Sequence, residues 1–141
     1  MKKRVLFVCI HNSARSQMAE KFLNELAGDS FEAESAGLEP GKLNPFVVKA
    51  MAEAGYDISG GATKSVADML AAGRQFDHVV AVCDKEAADK CPIFPGSGEK
   101  QHWPFSDPSS FKGSDEEKTA FAAKVRDQIK SRVEKFIKET V

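Results

Sequence analysis

Cys9 and Arg15 are separated by five residues in Cys9-Ile10-His11-Asn12-Ser13-Ala14-Arg15-Ser16. That arrangement can bind a tetrahedral oxyanion and attack it. A loop of this length between a strand and a helix curls so that successive backbone N–H groups point at one anion. The helix that follows adds its unpaired N-terminal donors and the positive end of its dipole. Arg15 contributes a planar fork of donors matched to an oxyanion. The same positive field favours the thiolate of Cys9, and the hydroxyls of Ser13 and Ser16 can donate to it or to the anion. Residues Ile10, His11, Asn12, Ser13, Ala14, Arg15 and Ser16 are therefore the candidate oxyanion cradle, with Cys9 as the nucleophile beneath it. A cysteine closing a buried strand also serves as a small core residue. The strand–loop–helix setting and the small polar residues favour chemistry.

Two further cysteines, Cys83 and Cys91, are separated by seven residues. That is not a common zinc spacing, and His11, His78 and His102 are the chain's three histidines. Spacing alone leaves two readings open: a redox pair, or a strand-end core cysteine with an incidental cysteine in a loop. Asp107 precedes Pro108. An aspartate before proline is a common turn residue, and it is also a candidate general acid.

The elements needed to position these groups can be read from the pattern. Arg4 to Ile10 is a short apolar run suited to a buried parallel strand. Ala14 to Ala27 predicts a helix with Met18, Phe22, Leu23 and Leu26 on one face and Gly28 at its end. Phe31 to Ser35 predicts a second strand. Asn44-Pro45 is an N-cap with proline at the first helical position, and the helix should run to about Ala54 before Gly55. Ser65 to Asp68 has capping-box spacing and opens a short helix ending near Gly73. Phe76 to Cys83 and Gln101 to Phe105 are the third and fourth strands. A second capping box, Ser114 to Glu117, starts a helix reaching Glu139. The order β-α-β-α-α-β-β-α predicts an α/β fold. We expect one three-layer domain over 1–141, with a four-stranded parallel sheet flanked by helices. Ligands bind beyond the carboxyl ends of such strands. Cys9, Cys83 and Asp107 should therefore share one edge.

The bulk composition sets limits. The chain has 141 residues, 42% of them apolar and 29% charged, with a formal net charge of −1. No global positive field argues for nucleic acid or an anionic membrane, so an anionic substrate must be held by local donors. The basic start, Met-Lys-Lys-Arg, is followed by too short an apolar run for a signal peptide. No stretch approaches the roughly 18 apolar residues that span a bilayer. A cytoplasmic protein is expected. An odd number of cysteines in a reducing compartment points to catalytic or redox roles before structural bridges.

Cys-x5-Arg-Ser after an N-terminal strand resembles the low-molecular-weight tyrosine phosphatases and the arsenate reductases built on the same fold. Asn12 to Glu20 resembles the reductase version, since Gln17 stands where the phosphatases usually have proline. Ser35-Ala36-Gly37, Asn44-Pro45, His102-Trp103 and Asp107-Pro108 extend the likeness over nearly the whole chain. The resemblance implies reduction of arsenate to arsenite for arsenic detoxification, with phosphate or sulfate as substrate analogues. It further implies that Cys9 attacks arsenate, that a Cys9–Cys83 disulfide and then a Cys83–Cys91 disulfide form, and that thioredoxin reduces the latter. Asp107 would handle protons beside Cys9. No tightly bound cofactor is implied, and a monomer is expected. Some relatives bind potassium beside the loop, at positions matched by Asn12, Glu20 and Ser35. Lys64 and Ser65 stand where a further acidic ligand is expected after Thr63. His11 replaces a frequent glycine, and Ala14 replaces a cysteine of many relatives that is not in the relay. The alternative is a tyrosine phosphatase using Cys9, Arg15 and Asp107; Ser109 and Ser110 in place of its usual tyrosines disfavour it. An inert oxyanion-binding module is disfavoured by the complete set of Cys9, Arg15 and Asp107.

Overall fold

The computed structural model describes residues 3–9, 15–37, 44–58, 65–73, 76–82, 99–103, 105 and 111–140. The elements follow the expected order: β1 (Lys3–Cys9), α1 (Arg15–Ala27), β2 (Phe31–Gly37), α2 (Pro45–Glu53), α3 (Val66–Ala71), β3 (His78–Ala81), β4 (Glu99–His102) and α4 (Asp115–Thr140). The strands form one parallel sheet in the order β2-β1-β3-β4. The chain leaves β1 to one side, then crosses back to build β3 on the other. That reversal makes the carboxyl end of β1 a switch point, where open α/β sheets leave a crevice.

Val5, Leu6, Phe7 and Val8 of β1 are all fully buried. Successive strand residues face opposite sides, so both faces of the sheet are covered. On the face of Val5 and Phe7, α4 supplies Phe136. Its ring lies 5.5 Å from Phe31 of β2, 5.3 Å from His78 of β3 and 5.5 Å from Trp103 just past β4. Trp103 in turn meets Phe7 of β1 at 5.6 Å. One helix thus meets rings from β2, β3 and the residue just past β4, and Trp103 links them to β1. These tilted and edge-on contacts suit aromatic quadrupoles.

The helix ends are set locally, as the sequence predicts. Asn44 Oδ1 accepts from the N–H groups of Phe46 and Val47 at 2.8 and 3.3 Å. At the other end of α2, Gly55 has φ +89°, and its N–H bonds the Ala52 carbonyl while that of Tyr56 bonds the Met51 carbonyl. This is a Schellman closure, in which a left-handed glycine meets no Cβ clash. Ser65 Oγ caps α3 through the Asp68 N–H at 2.9 Å. The Ser114–Glu117 box is reciprocal, with bonds of 3.2 and 3.3 Å.

Strand boundaries differ from the expected ones. β3 begins at His78 instead of Phe76, because Asp77 turns aside to exchange two bonds with Arg4 (Asp77 N–H to the Arg4 carbonyl, Arg4 N–H to Asp77 Oδ2, both 2.8 Å). It ends at Ala81, although the Val82 N–H still bonds the Val8 carbonyl at 2.9 Å. β4 spans Glu99–His102, not Gln101 to Phe105. The Trp103 N–H makes a further bond to the Ala81 carbonyl at 2.7 Å. β2 runs on to Gly37, since it pairs with β1 along its whole length. The predicted ends Ile10, Ala14 and Cys83 lie outside the described residues. Among the described residues, no helix is long and apolar enough to cross a membrane.

Phe136→Ala should destabilise the protein by about 3–5 kcal/mol, because the void opens among three rings from separate segments of the chain. Urea denaturation with an unchanged m-value is the measurement.

Candidate active site

Cys9 closes β1 and is 2% exposed. Its partner in β2 is Gly37, which brings no side chain to the same face. Cys9 Sγ lies 3.0 Å from the hydroxyl of Ser16. Either atom can donate in the neutral pair; toward a thiolate, the Ser16 hydroxyl must. Ser16 is itself fully buried. Water therefore does not compete for this bond, and a charge-assisted hydrogen bond is at its strongest under those conditions.

Ser16 is held there by α1. The helix begins at Arg15, and Arg15, Ser16, Gln17, Met18 and Ala19 are all buried. An ordinary amphipathic helix buries one stripe; the head of α1 is enclosed on every side. Its first turn carries no acidic residue. The positive dipole end is thus not neutralised by an acidic side chain of that turn.

Arg15 is 5% exposed. Its Nη1 donates to the main-chain carbonyl of Phe105 at 3.0 Å, ninety positions away in sequence. One donor of the five on the guanidinium is thereby spent on orientation. The segment after β4 is tied to the head of α1 by the same bond.

Glu20, one turn further along α1, accepts a hydrogen bond from Ser35 Oγ at 3.1 Å. Ser35 is fully buried and sits opposite Phe7 in the sheet register. Two of the three positions matched to a potassium site are therefore neighbours, but they bond each other. No group of three or more histidine, cysteine or acidic side chains that could hold a metal occurs among the described residues. No chemistry is assigned to a cation.

Of the residues singled out from sequence, Cys9, Arg15 and Ser16 are brought together at the junction of β1 and α1, with Glu20 and Ser35 bracing α1 to β2 behind them. Ile10, His11, Asn12, Ser13, Ala14, Cys83, Cys91 and Asp107 lie outside the described residues. Sequence reasoning gave no place to the Phe105 carbonyl, a main-chain group that no residue type advertises. It also gave no role to Trp103 beyond a family likeness, although a lone tryptophan after a short strand was the available signal.

The sequence matches the family described as low molecular weight phosphotyrosine protein phosphatase over residues 4–141. A protein of Bacillus licheniformis named arsenate reductase is 44% identical over 136 residues, covering 96% of this chain and 95% of its own. A solved arsenate reductase in the phosphate binding state superposes with a TM-score of 0.78 at 30% identity, covering 100% of both chains. A thioredoxin-dependent arsenate reductase from Corynebacterium glutamicum gives a TM-score of 0.70 at 28% identity, covering 98% of this chain and 61% of that one. The parallel four-stranded sheet, the cysteine closing its first strand and the arginine heading the next helix agree with that likeness: the chain belongs to the low molecular weight phosphotyrosine protein phosphatase family, among the arsenate reductases of that fold.

Proposed function

We propose that this protein reduces arsenate to arsenite in the cytoplasm, with Cys9 as nucleophile and Cys83 and Cys91 as a thiol relay that thioredoxin resets. The observation that carries the reading is the buried 3.0 Å contact of Cys9 Sγ with Ser16 Oγ, set beside Arg15 at the head of α1. A thiolate, an oxyanion and a cluster of donors belong together at such a point. The names of the relatives supply the choice of arsenate, and one of them supplies the choice of thioredoxin.

The steps balance as follows. The Cys9 thiolate bonds to arsenic(V), and one arsenate oxygen leaves as water after protonation by Asp107. Residues 10–16 hold the remaining oxygens. The Cys83 thiolate then attacks Cys9 Sγ. The electron pair of the sulfur–arsenic bond stays on arsenic, which leaves as arsenite, and a Cys9–Cys83 disulfide remains. Cys91 attacks Cys83 and releases the Cys9 thiolate. The dithiol of thioredoxin reduces the resulting Cys83–Cys91 disulfide. Val82, one peptide before Cys83, donates its N–H to the carbonyl of Val8, one peptide before Cys9. This supports the first disulfide, since bridged cysteines need Cα atoms within about 7 Å. Cys83 must meet Cys9 and afterwards Cys91, so residues 84–91 rearrange between the two steps.

Arsenate-dependent NADPH consumption with thioredoxin and thioredoxin reductase tests the relay. Wild type should turn over, and Cys9→Ser, Cys83→Ser and Cys91→Ser should each lose sustained turnover. Hydrolysis of an aryl phosphate without arsenate reduction, abolished by Cys9→Ser alone, would make the protein a phosphatase. Ser16→Ala should slow alkylation of Cys9 by about 10- to 100-fold, the worth of one buried hydrogen bond to a charged group. Peptide-mapped labelling measures it, and a change below twofold would remove Ser16 from the thiolate's support. Amide exchange over residues 84–91 should be faster in oxidised than in reduced protein; equal protection would rule out the rearrangement.

A further inference from the structure

Arg132 lies outside the residues that hold Cys9. Its guanidinium carbon sits 4.3 Å from the centroid of the Trp103 ring. Its Nη1 is buried and has no hydrogen-bond partner among the described residues. A guanidinium stacked on an indole face holds the ring's plane by cation–π attraction.

It fixes Trp103. That side chain is 3% exposed and held on several sides: by the rings of Phe7 and Phe136, by Arg132, and by a bond from its Nε1 to Gln101 Oε1 at 2.9 Å. Its N–H is tied to the Ala81 carbonyl at 2.7 Å. Two residues later, the Phe105 carbonyl receives Arg15 Nη1 at 3.0 Å. That carbonyl is one anchor of the Arg15 fork. A guanidinium is planar and rigid, so displacing one anchored Nη displaces the other donors with it. Small displacements of such a fork weaken oxyanion binding steeply.

We infer that Trp103, clamped by Arg132, is a positioning residue for Arg15, acting through the Phe105 carbonyl to aim the guanidinium at the oxyanion. The inference rests on Arg15 being the oxyanion donor of the Cys9 site. It assigns to α4 a part in substrate affinity beyond packing.

The test separates Arg15 placement from Cys9 reactivity. Alkylation at Cys9 by neutral iodoacetamide, followed by peptide mapping of the full chain, reports the thiol. Protection against it by inorganic phosphate reports the oxyanion donors. In wild type, phosphate should protect. In Arg132→Leu, the half-protecting phosphate concentration should rise about tenfold, while the rate without phosphate stays within about twofold of wild type. Arg132→Lys keeps the charge but not the stacking plane, and should behave like Arg132→Leu. Trp103→Phe keeps an aromatic platform and should lie between these variants and wild type. It also carries the test if either Arg132 variant fails to fold. Unchanged phosphate protection in folded Arg132→Leu overturns the inference. So does an equal fall in the iodoacetamide rate, which would mean that the stack supports the whole site. Absence of phosphate protection in wild type would instead refute the oxyanion reading of Arg15 itself, and the inference with it.

Discussion

A buried thiol and a buried hydroxyl 3.0 Å apart require the last residue of a strand and the first turn of a helix to be held at fixed separation. Most of the described architecture serves that requirement. β1 is buried on both faces and flanked by β2 and β3, so Cys9 ends an element that cannot shift along its axis without breaking two ladders. α1 is braced behind its head by the Glu20–Ser35 bond and further along by Asn24, whose amide both donates to and accepts from the Ala33 main chain at 3.1 and 2.9 Å. Both braces join α1 to β2, the strand directly beside β1. A hydrogen bond that supports a nucleophile works only if its partners do not relax away, and here rigid elements carry both.

The same economy governs Arg15. Its fork emerges from the helix that carries Ser16, and it donates to a main-chain carbonyl that follows the edge strand β4. A carbonyl in a packed segment holds its place without the side-chain freedom that a carboxylate partner would have. A carboxylate there would also neutralise the positive charge that the oxyanion needs.

The ring cluster beneath the site joins distant parts of the sequence. Phe7, Phe31, His78, Trp103 and Phe136 belong to five separate stretches, and α4 is the element that brings them into one layer. Through Trp103 this layer reaches the segment that orients Arg15. Packing and site geometry are thus continuous on the α4 face, which is why α4, far from Cys9 in sequence, bears on the site at all.

Local chemistry wrote much of this plainly. Caps at Asn44, Ser65 and Ser114, the left-handed Gly55, the apolar run before Cys9 and the alternation of strand and helix depend on near neighbours in the chain, and each was legible from residue type and spacing. So was the grouping of Cys9, Arg15 and Ser16, because eight consecutive residues hold it. Strand limits were less legible. Whether β3 starts at Phe76 or His78 turned on Asp77 bonding Arg4, and the end of β4 turned on Trp103 reaching Ala81. The Arg15–Phe105 bond and the Arg132–Trp103 stack were not legible at all. They join residues 90 and 29 positions apart through a carbonyl and a ring face, groups whose partners are chosen by the register of the sheet and the lie of α4. Sequence by itself determined the nearness of Cys9, Arg15 and Ser16 and the order of elements, since these follow from short-range propensity and spacing; the tertiary structure alone decided which main-chain carbonyl Arg15 bonds, since that depends on contacts between segments that no local pattern brings together.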